Sequence, residues 1–249
     1  MQTVPSFTRE TIFKFYRFLI KVTENWFNLR LLHTYRDIVW QAGFNKIIVI
    51  DVGAHHGETI DFFLGHFDIE SILAFEPSRR SFQIVEAKHR DTPKVTLYNM
   101  AVGKTKTVKV FYEMAVTEMS SLIAPDNIGL RNRLKKQLLH TDLAVNGSHE
   151  VPVTTLDELQ TRWEFIDRDI ICKIDTEGYE LSALLGAQSF LSSENRIVLQ
   201  IEIHRDKTRK YLEPQIDELL LNQSYQRIAE RRHYMDPTVV DVIYVSKEF

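Results

Sequence analysis

The stretch that decides the fold is KIIVIDVGAHHGET, residues 46–59. Its β-branched apolar run ends at Asp51 and is followed by Gly53 and Gly57, which is typical of a buried strand that enters a tight turn before a helix. The backbone N–H groups of such a turn and of the helix N-terminus can bind a polar ligand, and glycine lets the backbone approach that ligand closely. The stretch therefore predicts a strand–loop–helix unit with a ligand site at its loop.

The alternation of strands and helices continues towards the C-terminus. Apolar runs predict strands over 71–76, 95–99, 170–175 and 196–204, with helices over 57–65, 78–89, 179–190 and 210–222. This order predicts an α/β fold with a parallel sheet and right-handed crossovers. The last two runs, 225–231 and 239–245, are joined by too few residues for a helical crossover, so the sheet is predicted to end in a reversed strand.

Two segments lie outside this regular series. Residues 103–116 alternate in polarity and predict an extra strand or hairpin, whereas the polar, irregular segment at about 117–150 is expected to form a lid or substrate loop. Regular structure returns at 151–159 with a short strand and a Thr- or Asp-capped helix. We therefore divide the chain into an N-terminal helical extension, residues 1–45, and one domain, residues 46–249.

Charge and cysteine content restrict the class of protein. The 249 residues carry 31 Lys and Arg against 34 Asp and Glu, and a net charge of -3 argues against nucleic acid as the main partner. The single cysteine, Cys172, cannot form an internal disulfide and lies in an apolar run. We expect a buried thiol and a cytoplasmic protein.

The N-terminal segment 11–32 combines aromatic and basic residues at helical spacing. An amphipathic helix of this kind is expected to pack on its own domain or on a second subunit of a homo-oligomer. The alternative is peripheral contact with an anionic membrane at its inner surface. No apolar run approaches the roughly 20 residues that span a bilayer.

The loop and the next strand indicate the type of ligand. Glu76 follows Gly53 by 23 residues at the end of a strand, where a carboxylate can accept hydrogen bonds from ribose hydroxyls. A dinucleotide-binding loop would need glycine where this chain has His55 and Glu58. Asp51 and Glu58 would also repel a phosphate. The residues favour a ligand with a cation and a ribose but no pyrophosphate, a description that fits S-adenosylmethionine.

Six motifs together resemble the FkbM-type group of class I S-adenosylmethionine-dependent methyltransferases: VIDVGAHHGET at 49–59, AFEP at 74–77, NMAVG at 99–103, VTTLDEL at 153–159, KIDTEGYELSALLGA at 173–187 and QIEIH at 200–204. The resemblance implies a Rossmann-like, seven-stranded, mostly parallel sheet of order 3-2-1-4-5-7-6 with strand 7 reversed and helices on both faces. It also implies methyl transfer to a hydroxyl of a sugar, a glycan or another secondary metabolite. Transfer to nitrogen and a non-catalytic adenosyl-binding scaffold stay as alternatives.

By position, the resemblance implies that Asp51, Gly53 and Gly57 line the methionine part of the cofactor, that Glu76 binds the ribose, and that Asn99 and Ala101 flank the adenine. The complete set of expected cofactor-binding residues is Asp51, Gly53, His55, Gly57, Thr59, Glu76, Pro77, Ser78, Asn99, Ala101 and Asp175. The family's usual loop has small or amide residues at the positions of His55 and His56, so the roles of these histidines stay open.

Four polar residues follow two neighbouring strands: Asp175, Glu177, Glu202 and His204. Because the carboxyl ends of parallel strands meet at the ligand crevice, we expect them beside the cofactor, where they would orient and deprotonate the acceptor hydroxyl. His204 has an ordinary pKa near 6.5 and suits a general base. The alternative is a divalent-metal site for Mg²⁺ or Ca²⁺ at Asp175, Glu202 and His204.

A structural role is the further alternative for the two glutamates. Glu177 and Glu202 could cap helices or pair with Lys173 and Arg205, whereas Asp175 has no obvious structural partner.

Further expectations concern isolated residues. The pair at 120–121 could contact cofactor or acceptor, and Arg131–Lys136 could form a solvated helix face or bind an anionic acceptor. The three tryptophans, Trp26, Trp40 and Trp163, are expected in the core. The isolated histidines His89, His140 and His233 are expected on the surface.

Overall fold

The computed structural model describes residues 31–114, 120–123, 145–206, 209–233 and 236–247. Most of the predicted amphipathic segment 11–32, together with Trp26, the basic run 131–136 and His140, lies outside these ranges. The expectations for those residues stay predictions.

The strands are β1 Ile47–Val52, β2 Ile69–Phe75, β3 Val95–Tyr98, β4 Ala101–Val102, β5 Thr107–Met114, β6 Val145–Thr154, β7 Asp169–Ile174, β8 Arg196–His204, β9 Gln226–Arg232 and β10 Val239–Val245. Seven of them form the central sheet in the order β3-β2-β1-β7-β8-β10-β9. The first five are parallel, whereas β10 is antiparallel to both β8 and β9. This arrangement confirms the predicted strand order and the reversed last strand.

Helices cover both faces of the central sheet. They are α1 over residues 31–42, α2 Glu58–His66, α3 Arg79–His89, α4 Leu156–Trp163, α5 Glu180–Leu185, α6 Gln188–Leu191 and α7 Leu212–Asn222. Side chains of β1 alternate between the faces, so that Val49 packs with Tyr35 of α1 and Phe63 of α2, while Ile50 packs with the cluster that contains Leu184 and Leu220. Each face therefore has its own apolar layer.

A second, three-stranded sheet of order β4-β6-β5 lies beside the central one, and we call it the accessory sheet. Its small core contains Phe111, Val151 and Val153. Strand β5 lies within the segment predicted to form an extra strand. Strand β6 begins at Val145 and pairs with β5, so residues 145–150 are not irregular as the sequence suggested. Gly147 interrupts the alternation of polar and apolar residues in this part of β6, so the sequence pattern does not predict a strand there.

The helix predicted over 179–190 is divided into α5 and α6. A Cβ atom on Gly186, at the break, would lie 2.2 Å from the carbonyl oxygen of Gly103. The backbone of the accessory sheet therefore approaches the break closely, and only glycine fits there.

Three expectations about burial are wrong and one is confirmed. Trp40 is 88% exposed and Trp163 is 37% exposed, so neither packs in the core. His89 is buried against Gly57 rather than placed on the surface. Cys172 is fully buried, and burial raises the pKa of its thiol well above the usual range.

Candidate active site

Two positions of the glycine loop between β1 and α2, Gly53 and Gly57, require glycine. Gly53 and Gly57 have φ angles of 93° and 85°, in the left-handed region that favours glycine. A Cβ atom on Gly53 would lie 1.8 Å from the carbonyl oxygen of Asp175. The loops after β1 and β7 therefore pack backbone against backbone, at the carboxyl edge of the sheet.

Asp51 is the penultimate residue of β1, beneath this loop, and is completely buried. Neither of its carboxylate oxygens has a hydrogen-bond partner among the residues that the structure describes. Burial raises the pKa of Asp51 to about 6, although Lys173 and the neighbouring Thr59 hydroxyl act in the opposite direction. A buried carboxylate whose oxygens make no hydrogen bond of full geometry is costly even with Lys173 and Thr59 nearby, and a cationic ligand group would relieve this cost.

Glu76 follows β2 on the other side of the loop and is almost fully buried. Its Oε2 accepts a hydrogen bond from the His55 N–H at 2.7 Å, and its Oε1 accepts one from the Ser78 N–H at 2.8 Å. Burial raises the pKa of Glu76 to about 7. The carboxylate is therefore held in place by two backbone donors, and its remaining lone pairs are able to accept further hydrogen bonds.

Several other expected cofactor-binding residues have structural tasks. The Asn99 amide donates hydrogen bonds to the carbonyl oxygens of Glu76 and Pro77, at 2.8 and 3.3 Å. Ser78 is the N-cap of α3, and its hydroxyl accepts a hydrogen bond from the Ser81 N–H. Ala101 is buried in the core of the accessory sheet. These residues shape the turn that carries Glu76.

The two loop histidines stack on each other. The rings of His55 and His56 have a centroid separation of 3.6 Å and an interplanar angle of 22°. Glu58 lies beside both rings, with its Oε2 3.6 Å from His55 Nδ1. Partial burial raises the pKa of Glu58, but the hydrogen bond and charge of His55 outweigh it and lower the value to about 2. The pair therefore forms a small ionic cluster at the start of α2.

Three of the four residues predicted to act on the acceptor come together. His204 Nε2 lies 3.0 Å from Glu202 Oε1 and 3.4 Å from Glu177 Oε2. The imidazole nitrogen is buried and makes no hydrogen bond of acceptable geometry with the described residues. Burial and the neighbouring carboxylates raise the pKa of Glu202 well above its usual range. Burial also raises the pKa of Glu177, although His204 lowers it in part.

Asp175 differs from the other three. The Lys173 ammonium donates a hydrogen bond to Asp175 Oδ2 at 2.7 Å. Burial would raise the pKa of Asp175, but Lys173 holds it below its usual range. The expectation that Asp175 has no structural partner is therefore wrong: residues i and i+2 of a strand share a face, and this places Lys173 beside it.

The structure also changes the expected metal set and ion pairs. Ligand atoms of Glu177, Glu202 and His204 lie within 4.8 Å of one another, so Glu177 takes the place that the sequence gave to Asp175. Glu177 pairs with Arg209 at 3.1 Å rather than with Lys173. Arg205, the other expected partner, instead bonds to Glu213 and Glu230.

The residues Glu177, Glu202 and His204 form a polar cluster with two further residues that the sequence did not predict, His233 and Asp241. His233 Nε2 lies 2.8 Å from Asp241 Oδ2 and 3.6 Å from Glu202 Oε2. Burial lowers the pKa of His233, but the hydrogen bond and charge of Asp241 outweigh it and raise the value. His233 is therefore not an isolated surface residue. The sequence did contain one sign of this cluster, since Asp241 is an acid inside the apolar run VVDVIYV. In the sheet, Asp241 lies opposite Glu202.

A hydrogen-bonded chain connects this cluster with α1. Gln200 donates to Asp241 Oδ1 at 2.7 Å and accepts from the Tyr35 hydroxyl at 2.5 Å. All three side chains are buried. The chain fixes the orientation of Asp241 and, through it, of His233.

The loop that carries Glu177 is held by two further contacts. Glu180 Oε1 accepts hydrogen bonds from the N–H groups of Thr176 and Gly178 at 3.0 and 2.9 Å. Ser121, from the segment that follows β5, donates its hydroxyl to the Glu177 carbonyl oxygen at 3.1 Å. Of the serine pair at 120–121, Ser121 thus contacts the backbone of the loop that carries Glu177, whereas the Ser120 hydroxyl accepts a hydrogen bond from the Met114 N–H at 2.9 Å.

None of the helices in the described ranges combines the length and hydrophobicity that are needed to cross a lipid bilayer.

Comparison with known proteins gives a family and a fold. The model of the FkbM methyltransferase domain matches residues 51–227. An FkbM methyltransferase from Methylobacillus flagellatus KT has a similar structure, with a TM-score of 0.52 and 18% identity; the match covers 79% of this chain and 43% of that chain. An rRNA methylase from Streptococcus thermophilus has a TM-score of 0.46 and 11% identity, covering 86% of this chain and 95% of that one.

The chain therefore spans less than half the length of the Methylobacillus protein. No curated protein matches it. The family match covers the glycine loop, Glu76 and the whole Glu177–Glu202–His204 cluster. On this match, with a sheet of the expected order, the chain belongs to the FkbM methyltransferase family.

Proposed function

We propose that the protein is an S-adenosylmethionine-dependent O-methyltransferase that acts on a hydroxyl of a sugar, a glycan or another secondary metabolite. Membership of the family supports methyl transfer. The observation that carries the cofactor is the Asp51 carboxylate, which is buried beneath the glycine loop with neither oxygen hydrogen-bonded to a described residue. S-adenosylmethionine has an ammonium group that can satisfy such a carboxylate.

The residues of the site fit this cofactor from end to end. Asp51 would bind the ammonium group, and the Gly53 loop would let the backbone contact the methionine part. Glu76 would accept hydrogen bonds from the ribose hydroxyls with the lone pairs that His55 and Ser78 do not use. The carboxylates of Asp51 and Glu58 at the same loop would repel a pyrophosphate.

The polar cluster would prepare the acceptor. S-adenosylmethionine, when bound, supplies a methyl carbon that is already activated by its sulfonium. The chain's own task is to orient the acceptor oxygen and to accept its proton. His204 Nε2 is the proposed proton acceptor, because Glu177 and Glu202 lie 3.4 and 3.0 Å away and would stabilise the imidazolium that forms. Lys173 leaves Asp175 as a poor proton acceptor, so its role would be to shape the crevice.

A divalent cation is the second candidate for activating the acceptor. His204 Nε2 lies between two carboxylate oxygens without a hydrogen bond, as a metal ligand would. The donor set of Glu177, Glu202 and His204 would suit Mg²⁺ or Mn²⁺. Calorimetric titration with each ion, followed by turnover with and without a chelator, separates the two candidates. Turnover that survives chelation would exclude the metal and leave His204 as the candidate proton acceptor, which His204→Gln then tests.

Calorimetry with S-adenosylmethionine and S-adenosylhomocysteine tests the cofactor assignment, with NAD as the negative ligand. We expect both sulfur compounds to bind and NAD not to bind. Glu76→Gln should weaken binding about tenfold, because charged hydrogen bonds contribute roughly 1.5–3 kcal/mol. Asp91→Asn, an exposed acid, is the control. If neither sulfur compound binds the wild type, the enzyme assignment is withdrawn.

Release of S-adenosylhomocysteine in a panel of hydroxyl and amine acceptors tests the O-specificity. Turnover with amines alone would favour the N-methyltransferase alternative, and cofactor binding without any turnover would favour the scaffold alternative. Peripheral membrane contact through residues 11–32 predicts that liposomes sediment the full chain but not a chain that starts at residue 31 and so keeps α1.

A further inference from the structure

We propose that Glu113 and His149, two residues of the accessory sheet, position the Glu76 carboxylate for the cofactor ribose. This inference rests on the proposed function. Neither residue belongs to a sequence motif of the site. Glu113 lies near the end of β5 and His149 within β6, and their side chains are only 16% and 12% exposed.

Glu113 holds the two residues that follow the Glu76–Pro77 turn. Its Oε2 accepts a hydrogen bond from the Ser78 hydroxyl at 2.9 Å, and its Oε1 accepts one from the Arg79 N–H at 3.0 Å. Ser78 in turn donates its N–H to Glu76 Oε1 at 2.8 Å. Ser78 therefore connects Glu113 of the accessory sheet directly to the Glu76 carboxylate, the proposed ribose ligand.

The Glu113 carboxylate lies at the N-terminus of α3, and this position strengthens its contact with Ser78 and Arg79. Helix α3 begins at Arg79 and has no acidic residue in its first turn. A negative charge is favourable there, because the first N–H groups of a helix have no partners within it. Here the charge comes from Glu113 of another sheet, so the contact fixes α3 and its preceding turn to the accessory sheet.

His149 holds the same turn from the neighbouring strand. Its Nε2 lies 3.2 Å from the Pro77 carbonyl oxygen and must be the protonated nitrogen in this contact, since a carbonyl only accepts. Its Nδ1 lies 3.8 Å from Glu113 Oε1. Three consecutive residues, Pro77, Ser78 and Arg79, are thus each held by the accessory sheet.

Calorimetric titration of the full chain with S-adenosylhomocysteine tests this inference. Glu113→Gln removes the charge and places an amide N–H group against a donor, so we expect the Kd to rise about tenfold. His149→Leu should have a similar effect, and His149→Gln, which keeps an N–H donor, should stay within about threefold of the wild type. Glu150→Gln, the same charge change at an exposed residue of β6, should bind as the wild type does.

The 2′-deoxy and 3′-deoxy analogues of S-adenosylhomocysteine distinguish positioning from a general structural effect. If Glu113 acts through Glu76 on the ribose hydroxyls, the loss caused by Glu113→Gln should largely disappear with at least one analogue. An equal loss with all three ligands, or no loss with the parent ligand, would overturn the inference. Should Glu113→Gln fail to fold, the comparison of His149→Leu with His149→Gln gives the same decision.

Failure of the proposed function has a different signature. A wild-type protein that does not bind S-adenosylhomocysteine overturns the cofactor assignment and this inference together. A wild type that binds it while Glu113→Gln and His149→Leu bind equally well overturns this inference alone.

Discussion

Replacing Asp51 with Asn should make the protein more stable while it weakens cofactor binding. Burial raises the pKa of Asp51 from its usual 3.8 to about 6. Since a tenfold change in acid dissociation corresponds to about 1.4 kcal/mol, the ionised side chain costs the folded protein about 3 kcal/mol. This cost already includes the attraction of Lys173, so Asp51→Asn, which keeps the shape and removes the charge, should stabilise the protein by about 3 kcal/mol.

The sign of the pH dependence follows from the direction of this shift. Between the two pKa values the folded state binds more protons than the unfolded state, so the contribution of Asp51 to stability falls as the pH rises from about 4 to about 6. The advantage of Asp51→Asn should therefore be small near pH 4.5 and complete above about pH 7.

Urea titrations at pH 4.5 and pH 8 measure the free energy of unfolding of the wild type, of Asp51→Asn and of the control Asp91→Asn. Calorimetry at pH 8 should show that the Kd for S-adenosylmethionine rises at least about tenfold in Asp51→Asn. A variant that is less stable than the wild type at pH 8 would refute the reasoning, because the buried charge would then be fully compensated within the protein. Unchanged cofactor affinity would refute the assigned ammonium contact.

Other substitutions test the neighbouring groups. Gly53→Ala should destabilise the protein by about 3 kcal/mol or more in urea titrations, because its Cβ atom would overlap the Asp175 carbonyl oxygen and its φ angle is 93°. Gly65→Ala is the control, since a Cβ atom there meets nothing within 4 Å. Equal stability of the two variants would contradict the close approach of Gly53 to Asp175. His204→Gln should lower turnover by about 10²–10⁴ and leave the cofactor Kd within about twofold, and full turnover would exclude His204 as the base. Lys173→Met should destabilise the fold by about 1–3 kcal/mol, because it leaves the half-buried Asp175 carboxylate without its cation, and unchanged stability would contradict this ion pair.

The sequence predicts the central sheet well because each of its signals is local. A β-branched run that ends at Asp51, with glycine after it, defines both a strand and its loop. The short connection before β10 is enough to require a reversed strand. Glu76 is found at the next strand end for the same reason, since its position depends only on the spacing from Gly53.

The sequence predicts contacts poorly where they depend on register between strands distant in the chain. Asp241 lies opposite Glu202 only because β10 pairs with β8 in one particular register, and no periodicity within either strand specifies it. The contacts of Glu113 and His149 with the Glu76 turn also depend on register between distant strands, here β5 and β6. The sequence does not predict the first half of β6, which carries His149. Lys173 and Asp175, by contrast, could have been paired from their i, i+2 spacing alone.

The accessory sheet also bears on how the connection between β5 and β6 can change among related chains. Met114 of β5 is paired with Val145 of β6, so the chain leaves and re-enters this sheet at neighbouring points. When the ends of a connection are already fixed close together, doubling its length costs only about 0.6 kcal/mol. The part of this connection that follows Ser121 can therefore change in length and composition without rebuilding the central sheet. Chimaeras that exchange residues 124–144 and keep Ser121, which is hydrogen-bonded to the Glu177 loop, test the expectation that this segment contacts the acceptor.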